Sequence, residues 1–222
     1  MFGLDDKLAG CSDGTTLLVV VGVSILLGLR HASDPDHVAA VTTLIASGRE
    51  RASRGAAKLG FVWGLGHATT LFLFGLPVVL YSAYLPGPVQ AAAETSVGAV
   101  IVALALLLLL RWRRGVYSGV AHAHRTRTRL QAYGIGLVHG MGGTAGVGLL
   151  LLATIQSQVV AVVALVLFAV CTALSMAALS TGWGLALGRA PLHRIAPILG
   201  IVSLVFGVWY ALGAQGVVPY IL

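Results

Sequence analysis

The run Arg30-His31-Ala32-Ser33-Asp34-Pro35-Asp36-His37 sets two histidines and two carboxylates within seven residues, in a strongly apolar part of the chain. An ionisable side chain near the middle of a bilayer costs roughly 2.5–3.5 kcal/mol on insertion scales. Four such groups together call for a compensating partner, and a divalent cation is the simplest one. Imidazole with carboxylate suits nickel, cobalt, zinc or ferrous iron, whereas calcium and magnesium take all-oxygen shells. The cluster holds no thiolate, which argues against a soft cuprous site.

On a straight helix of about 100° per residue, Asp36 lies about 140° from His31 and His37 about 240° from it. Those three side chains converge on one ion only if the helix is distorted. Pro35 supplies a cause, because it lacks an amide hydrogen and clashes with the carbonyl of His31. The freed His31 carbonyl then becomes a further candidate ligand or water anchor. His31, Asp34 and His37, spaced three apart, share a face even on an unbroken helix, and the sequence does not choose between the two sets. A plainer reading puts both histidines at the membrane interface, with Asp34 and Asp36 capping a short helix. It leaves four clustered polar groups without a shared purpose.

Two further histidines stand inside apolar segments. His67 lies in Trp63-Gly64-Leu65-Gly66-His67-Ala68-Thr69-Thr70, where small residues let a neighbouring helix approach and the threonines offer hydrogen bonds to fix the ring tautomer. His139 opens His139-Gly140-Met141-Gly142-Gly143-Thr144-Ala145-Gly146, whose glycines favour close packing or an unwound stretch lining a path. The candidate metal set is therefore His31, Asp34, Asp36, His37, His67 and His139. Ser175, Ser180 and Thr181 are expected to make ordinary helix-to-helix hydrogen bonds. His122 and His124, in a basic connection, are expected to be polar filler or an accessory metal collector.

These residues have to be held by membrane-spanning helices. Of the 222 residues, 58% are hydrophobic and only 9% charged. The stretches from Leu130 to Gly188 and from Ile195 to Leu222 contain no Asp, Glu, Lys or Arg. A crossing needs about 20 apolar residues. Six apolar segments can be drawn, at about 14–46, 57–82, 89–112, 130–154, 157–188 and 194–216, giving an all-α polytopic membrane protein. The first and fifth exceed the required length and are expected to be tilted, broken or partly re-entrant.

The net charge of +7 resides largely in three short connections, around Arg49 to Lys58, Arg111 to Arg129, and Arg189 to Arg194. Such clustering is a topology signal, and the arginines lack the interleaved aromatics of a single-strand nucleic-acid groove. Placing all three connections in the cytoplasm gives strict alternation, with both termini outside. The first residues, with Asp5, Asp6 and Lys7, lack the basic start of a signal peptide, so the first apolar segment is expected to stay as a span. Cys11 and Cys171 lie far apart and offer no Cys-x-x-Cys site.

The whole chain, 1–222, reads as one transporter-like domain with halves at 14–112 and 130–216 around a basic cytoplasmic loop at 113–129. Three spans per half would invert one half relative to the other. Gly28-Leu29-Arg30-His31 has an echo in Gly136-Leu137-Val138-His139, the pattern of a 3+3 inverted repeat with binding at the mid-membrane interface.

His31-x4-Asp36-His37 followed by Val38-Ala39-Ala40-Val41 resembles the HX4DH signature of the nickel/cobalt transporter family and its shorter, six-span NicO-type relatives. Leu65-Gly66-His67 resembles that family's second motif, a Leu-Gly-His-Ser/Thr run. The resemblance implies roles in metal uptake for His31, Asp36, His37 and His67. The chain departs from the long permeases in having six spans rather than eight, and Thr42-Thr43 where they continue with Asp-Asn. The resemblance implies a prokaryotic plasma-membrane carrier with Ni²⁺ or Co²⁺ as cargo and no prosthetic group. Direction, coupling ion and homo-oligomer formation stay open. Two rivals remain: an intramembrane metalloenzyme, and a non-transporting accessory protein for metalloenzyme assembly.

Overall fold

The computed structural model describes residues 14–47, 53–81, 86–117, 129–140, 142, 149 and 152–219. Among them the regular structure is entirely helical: α1 Gly14–His31, α2 Pro35–Ser47, α3 Ser53–Tyr81, α4 Gly87–Arg113, α5 Arg129–His139, α6 Gln158–Arg189 and α7 Leu192–Ala214. By length and composition α3, α4, α6 and α7 can each cross a membrane, and α1 with α2 form an apolar pair bent by 50°, the shape of a broken span or a re-entrant loop. Of the expected span at 130–154, α5 and a few later positions are described, and the remainder lies outside the described residues. His122 and His124 also lie outside them.

Both overlong segments have a clear outcome. The first breaks at residues 32–34, where Ser33 N–H bonds to the Arg30 carbonyl at 2.9 Å and Asp34 N–H to the His31 carbonyl at 3.2 Å. Pro35 then opens α2, a position where its missing N–H costs nothing and its fixed φ suits a new helix. The fifth stays whole: α6 runs 32 residues without a break, long enough to cross with a tilt.

The helices present leucines, isoleucines and valines outward, among them Leu18, Leu26, Leu73, Ile198 and Val205, while the histidines and aspartates of the first cluster are buried. That inside-out polarity suits a lipid surroundings. With no hydrophobic force between helices in lipid, close packing must hold them, and small residues permit it. The central pair is α3 on α6, flanked by α5 against α3 and α1 against α6, while α4 pairs with α7. A Cβ at Gly64 would lie 2.8 Å from Cα of Ala173, so the α3 and α6 backbones approach as only glycine allows.

The packing has a recurring pattern. Gly28 of α1 rests on the backbone of α6 at Phe168 and Thr172, and Gly136 of α5 rests on the backbone of α3 at Trp63 and His67. The ring of His31 lies 5.6 Å from Phe168, and the ring of His139 lies 5.8 Å from Trp63. Gly60 meets Ser180 and Gly75 meets Leu165, at matching positions along the same two helices. Finally, α1 ends at His31 as α5 ends at His139.

Candidate functional site

Three elements deliver the buried imidazoles. His31 is the last residue of α1, His37 stands in the first turn of α2, and His67 lies midway along α3. The break at 32–34 lies between His31 and His37, whose rings meet. One ring nitrogen from each of His31, His37 and His67 lies within 4.8 Å of the others. Ring centroids are 4.7 Å apart for His31 and His37, 5.1 Å for His31 and His67, and 5.0 Å for His37 and His67.

The two aspartates flank this group. Asp34 Oδ2 is 3.0 Å from Nδ1 of His31, so an acceptor-only carboxylate assigns the ring hydrogen to Nδ1. Nε2 of His31 then carries a lone pair, and it lies 3.1 Å from Nε2 of His67. Asp36 Oδ1 approaches Nδ1 of His37 at 3.2 Å, without the alignment of a hydrogen bond, and its Oδ2 has no hydrogen-bond partner. Among the described residues neither ring nitrogen of His37 has a hydrogen-bond partner, nor does Nδ1 of His67. Each buried polar group left unmatched costs about 1–3 kcal/mol. A cation accepting these lone pairs would remove that cost.

His139 is fully buried at the end of α5 but falls outside the three-nitrogen group, its ring 5.6 Å from that of His37. Trp63 and Phe168 wall the cluster, with Trp63 5.7 Å from His37 and Phe168 5.6 Å from His31. Neither was given a role from sequence. Trp63 precedes His67 by one helical turn, which is a usable signal. Phe168 is one apolar residue in a long apolar run and offers none.

Several expectations need correction. The His31 carbonyl is not freed, because Asp34 N–H reaches over the break to it. Thr69 and Thr70 do not orient His67; they bond to the Leu65 carbonyl at 2.8 Å and the Gly66 carbonyl at 3.3 Å within their own helix. Thr181 likewise bonds back to the Ala177 carbonyl at 2.7 Å, and the hydroxyls of Ser175 and Ser180 make no hydrogen bond. For Thr69, Thr70 and Thr181 the hydroxyl hydrogen goes to the carbonyl about one turn back, while Thr69 Oγ1 also accepts from the Tyr133 hydroxyl of α5 at 3.1 Å.

The ends of α1 and α5 both face this cluster, and helix C-termini carry partial negative charge that favours a cation. The α2 N-terminus opposes a cation, and Asp34 and Asp36 offset it. Three converging nitrogens with two carboxylates alongside can hold a divalent transition-metal ion in a site closed to water.

Comparison with known proteins agrees with this chemistry. The chain is similar to the urease accessory protein UreH of Bacillus sp. (strain TB-90), 27% identical over 213 residues that cover 89% of this chain and 92% of that protein. No solved structure matches it. The NicO family, described as high-affinity nickel-transport protein, matches residues 17–134, a stretch that holds His31, Asp34, Asp36, His37 and His67 but not His139. That match covers more than half of the sequence, and the chain belongs to the NicO family of nickel-transport proteins.

Proposed function

We propose that the protein carries Ni²⁺ or Co²⁺ across a prokaryotic plasma membrane, with the ion held in transit by His31, His37 and His67. The observation that carries this reading is the meeting of three buried imidazole nitrogens at the break of a membrane helix. Asp34 orients His31, and Asp36 stands beside His37 with a free oxygen as a further donor. Two carboxylates and one divalent ion sum to no net charge, so the loaded site suits a low-dielectric interior. The donor set of imidazole and carboxylate suits nickel and cobalt.

The chain crosses the membrane six times, with α5 and the residues after it making the fourth crossing and both termini outside. Its halves, 14–112 and 130–216, form an inverted repeat. Supporting this are the paired contacts of Gly28 with Gly136 and of Phe168 with Trp63, and the matching ends of α1 and α5. Reporters fused near Arg54 and Arg194 would read cytoplasmic and one at the C-terminus external; a cytoplasmic C-terminus would overturn this arrangement. Inward movement of a divalent ion gains about 2.3 kcal/mol per charge per 100 mV of membrane potential, so import proceeds without a second ion.

A second reading is a non-transporting partner in metalloenzyme assembly, favoured by the name of the relative as an accessory protein. A metalloenzyme would need a general base beside the ion. Glu94, the remaining buried carboxylate among the described residues, instead bonds to Gln90 Nε2 at 3.1 Å. Purified protein in proteoliposomes with a metal-sensitive dye inside separates carrier from partner. Ni²⁺ flux that requires the protein supports the carrier, and binding without flux supports the partner.

A further inference from the structure

His139 is the buried imidazole that the three-nitrogen site does not use. It has no exposed surface, and neither Nδ1 nor Nε2 makes a well-aligned hydrogen bond to a described residue, although the backbone of Ile135 and of Asp36 lies close to the ring. Packing alone does not call for a polar ring there. A Phe or Leu would fill the space against Trp63 without leaving two nitrogens unmatched, at about 1–3 kcal/mol each. The surroundings of His139 repeat those of His31: a helix ends at it, a glycine three residues before lies on a neighbouring backbone, and an aromatic ring from that neighbour closes one side. His37 stands between the two, its ring 4.7 Å from His31 and 5.6 Å from His139.

We infer that His139 is a second ion station, which takes the cargo over from His31 while His37 remains a donor to both. This rests on the carrier reading above. A carrier must hold its ion firmly enough to admit it yet release it, and division of the route into neighbouring weaker stations does both. Beyond His139 the chain passes α4, where a side chain at position 142 would touch Val97 at 3.1 Å and Glu94 Cα at 3.2 Å. Glu94 is itself buried and lies near the Gly87 end of α4.

The test compares His139→Leu, which removes both donors, with His139→Cys, which restores one of softer character. Ni²⁺ binding is measured by calorimetry in detergent and Ni²⁺ flux in proteoliposomes. His139→Leu should cut flux by about tenfold or more while equilibrium affinity falls by less than about threefold, since the triad remains. His139→Cys should recover flux and shift preference from Ni²⁺ toward Zn²⁺, a change that a packing role would not produce. Parent-like flux in His139→Leu, or equal loss in both variants, overturns the inference. Should His139→Leu fail to fold, the smaller His139→Ala, which also lacks a donor, gives the same comparison. Failure of the carrier reading looks different: His31→Ala and His37→Ala would keep parent affinity, or the parent itself would show no flux.

Discussion

Nε2 of His31 lies 3.1 Å from Nε2 of His67, two ring nitrogens brought together from positions 36 residues apart in sequence. Because Asp34 holds the ring hydrogen of His31 on Nδ1, the contact is stable in one of two ways. Either His67 donates its own hydrogen across the gap, or a metal ion takes the place of that hydrogen. The second is the loaded state of the proposed carrier.

Removing an imidazole removes a donor. His31→Ala and His37→Ala should each abolish measurable Ni²⁺ binding, and His67→Ala should weaken it by a smaller factor. Asp34→Asn keeps the shape of the side chain but loses the charge that orients His31, and affinity should drop by about 10–100-fold. Calorimetry on protein that remains monodisperse in detergent reads all four. Parent affinity in the double variant His31→Ala/His37→Ala would remove the proposed site.

Affinity should depend on pH with a definite sign. Imidazole binds metal only when neutral, so protons and the ion compete for the same lone pairs. Binding should be strongest at pH 8 and weaken as pH falls and protons displace the ion from the imidazoles. A flat titration from pH 8 to about 5, measured by calorimetry, would favour a carboxylate-and-carbonyl site instead.

Two glycines of α5 should respond oppositely to the same change. A Cβ at Gly136 would run into the Trp63 carbonyl oxygen, which is backbone and yields little, so Gly136→Ala should destabilise by about 1–3 kcal/mol. Nothing lies within 4 Å of a Cβ at Gly134, where Gly134→Ala should be neutral or stabilising by about 0.5–1 kcal/mol. Thermal melts of the two variants in one detergent make the comparison. Equal melting temperatures would mean that α3 and α5 are not packed through Gly136.

Much of the site was legible because a membrane penalises polarity. His31, Asp34, Asp36, His37 and His67 stood out against an apolar background, and Pro35 marked the break between His31 and His37. The spans at α3, α4, α6 and α7 followed from length and hydropathy. What could not be read was which groups face which. The donors of Thr69, Thr70 and Thr181 turn to their own helices, a local choice that spacing does not reveal. The roles of Trp63 and Phe168 depend on contacts between helices, and apolar composition is silent on those. Spacing also treated carboxylates and imidazoles alike as ligands, whereas Asp34 and Asp36 stand to the side of the three nitrogens.

The most direct measurement is X-ray absorption spectroscopy of the Ni²⁺-loaded protein, alone and as His67→Ala. The outer-shell scattering of imidazole rings reports how many histidines touch the ion. The parent should show three, matching the group formed by His31, His37 and His67, and His67→Ala should show two. A shell of oxygen donors without imidazole scattering, unchanged by His67→Ala, would contradict the proposed site.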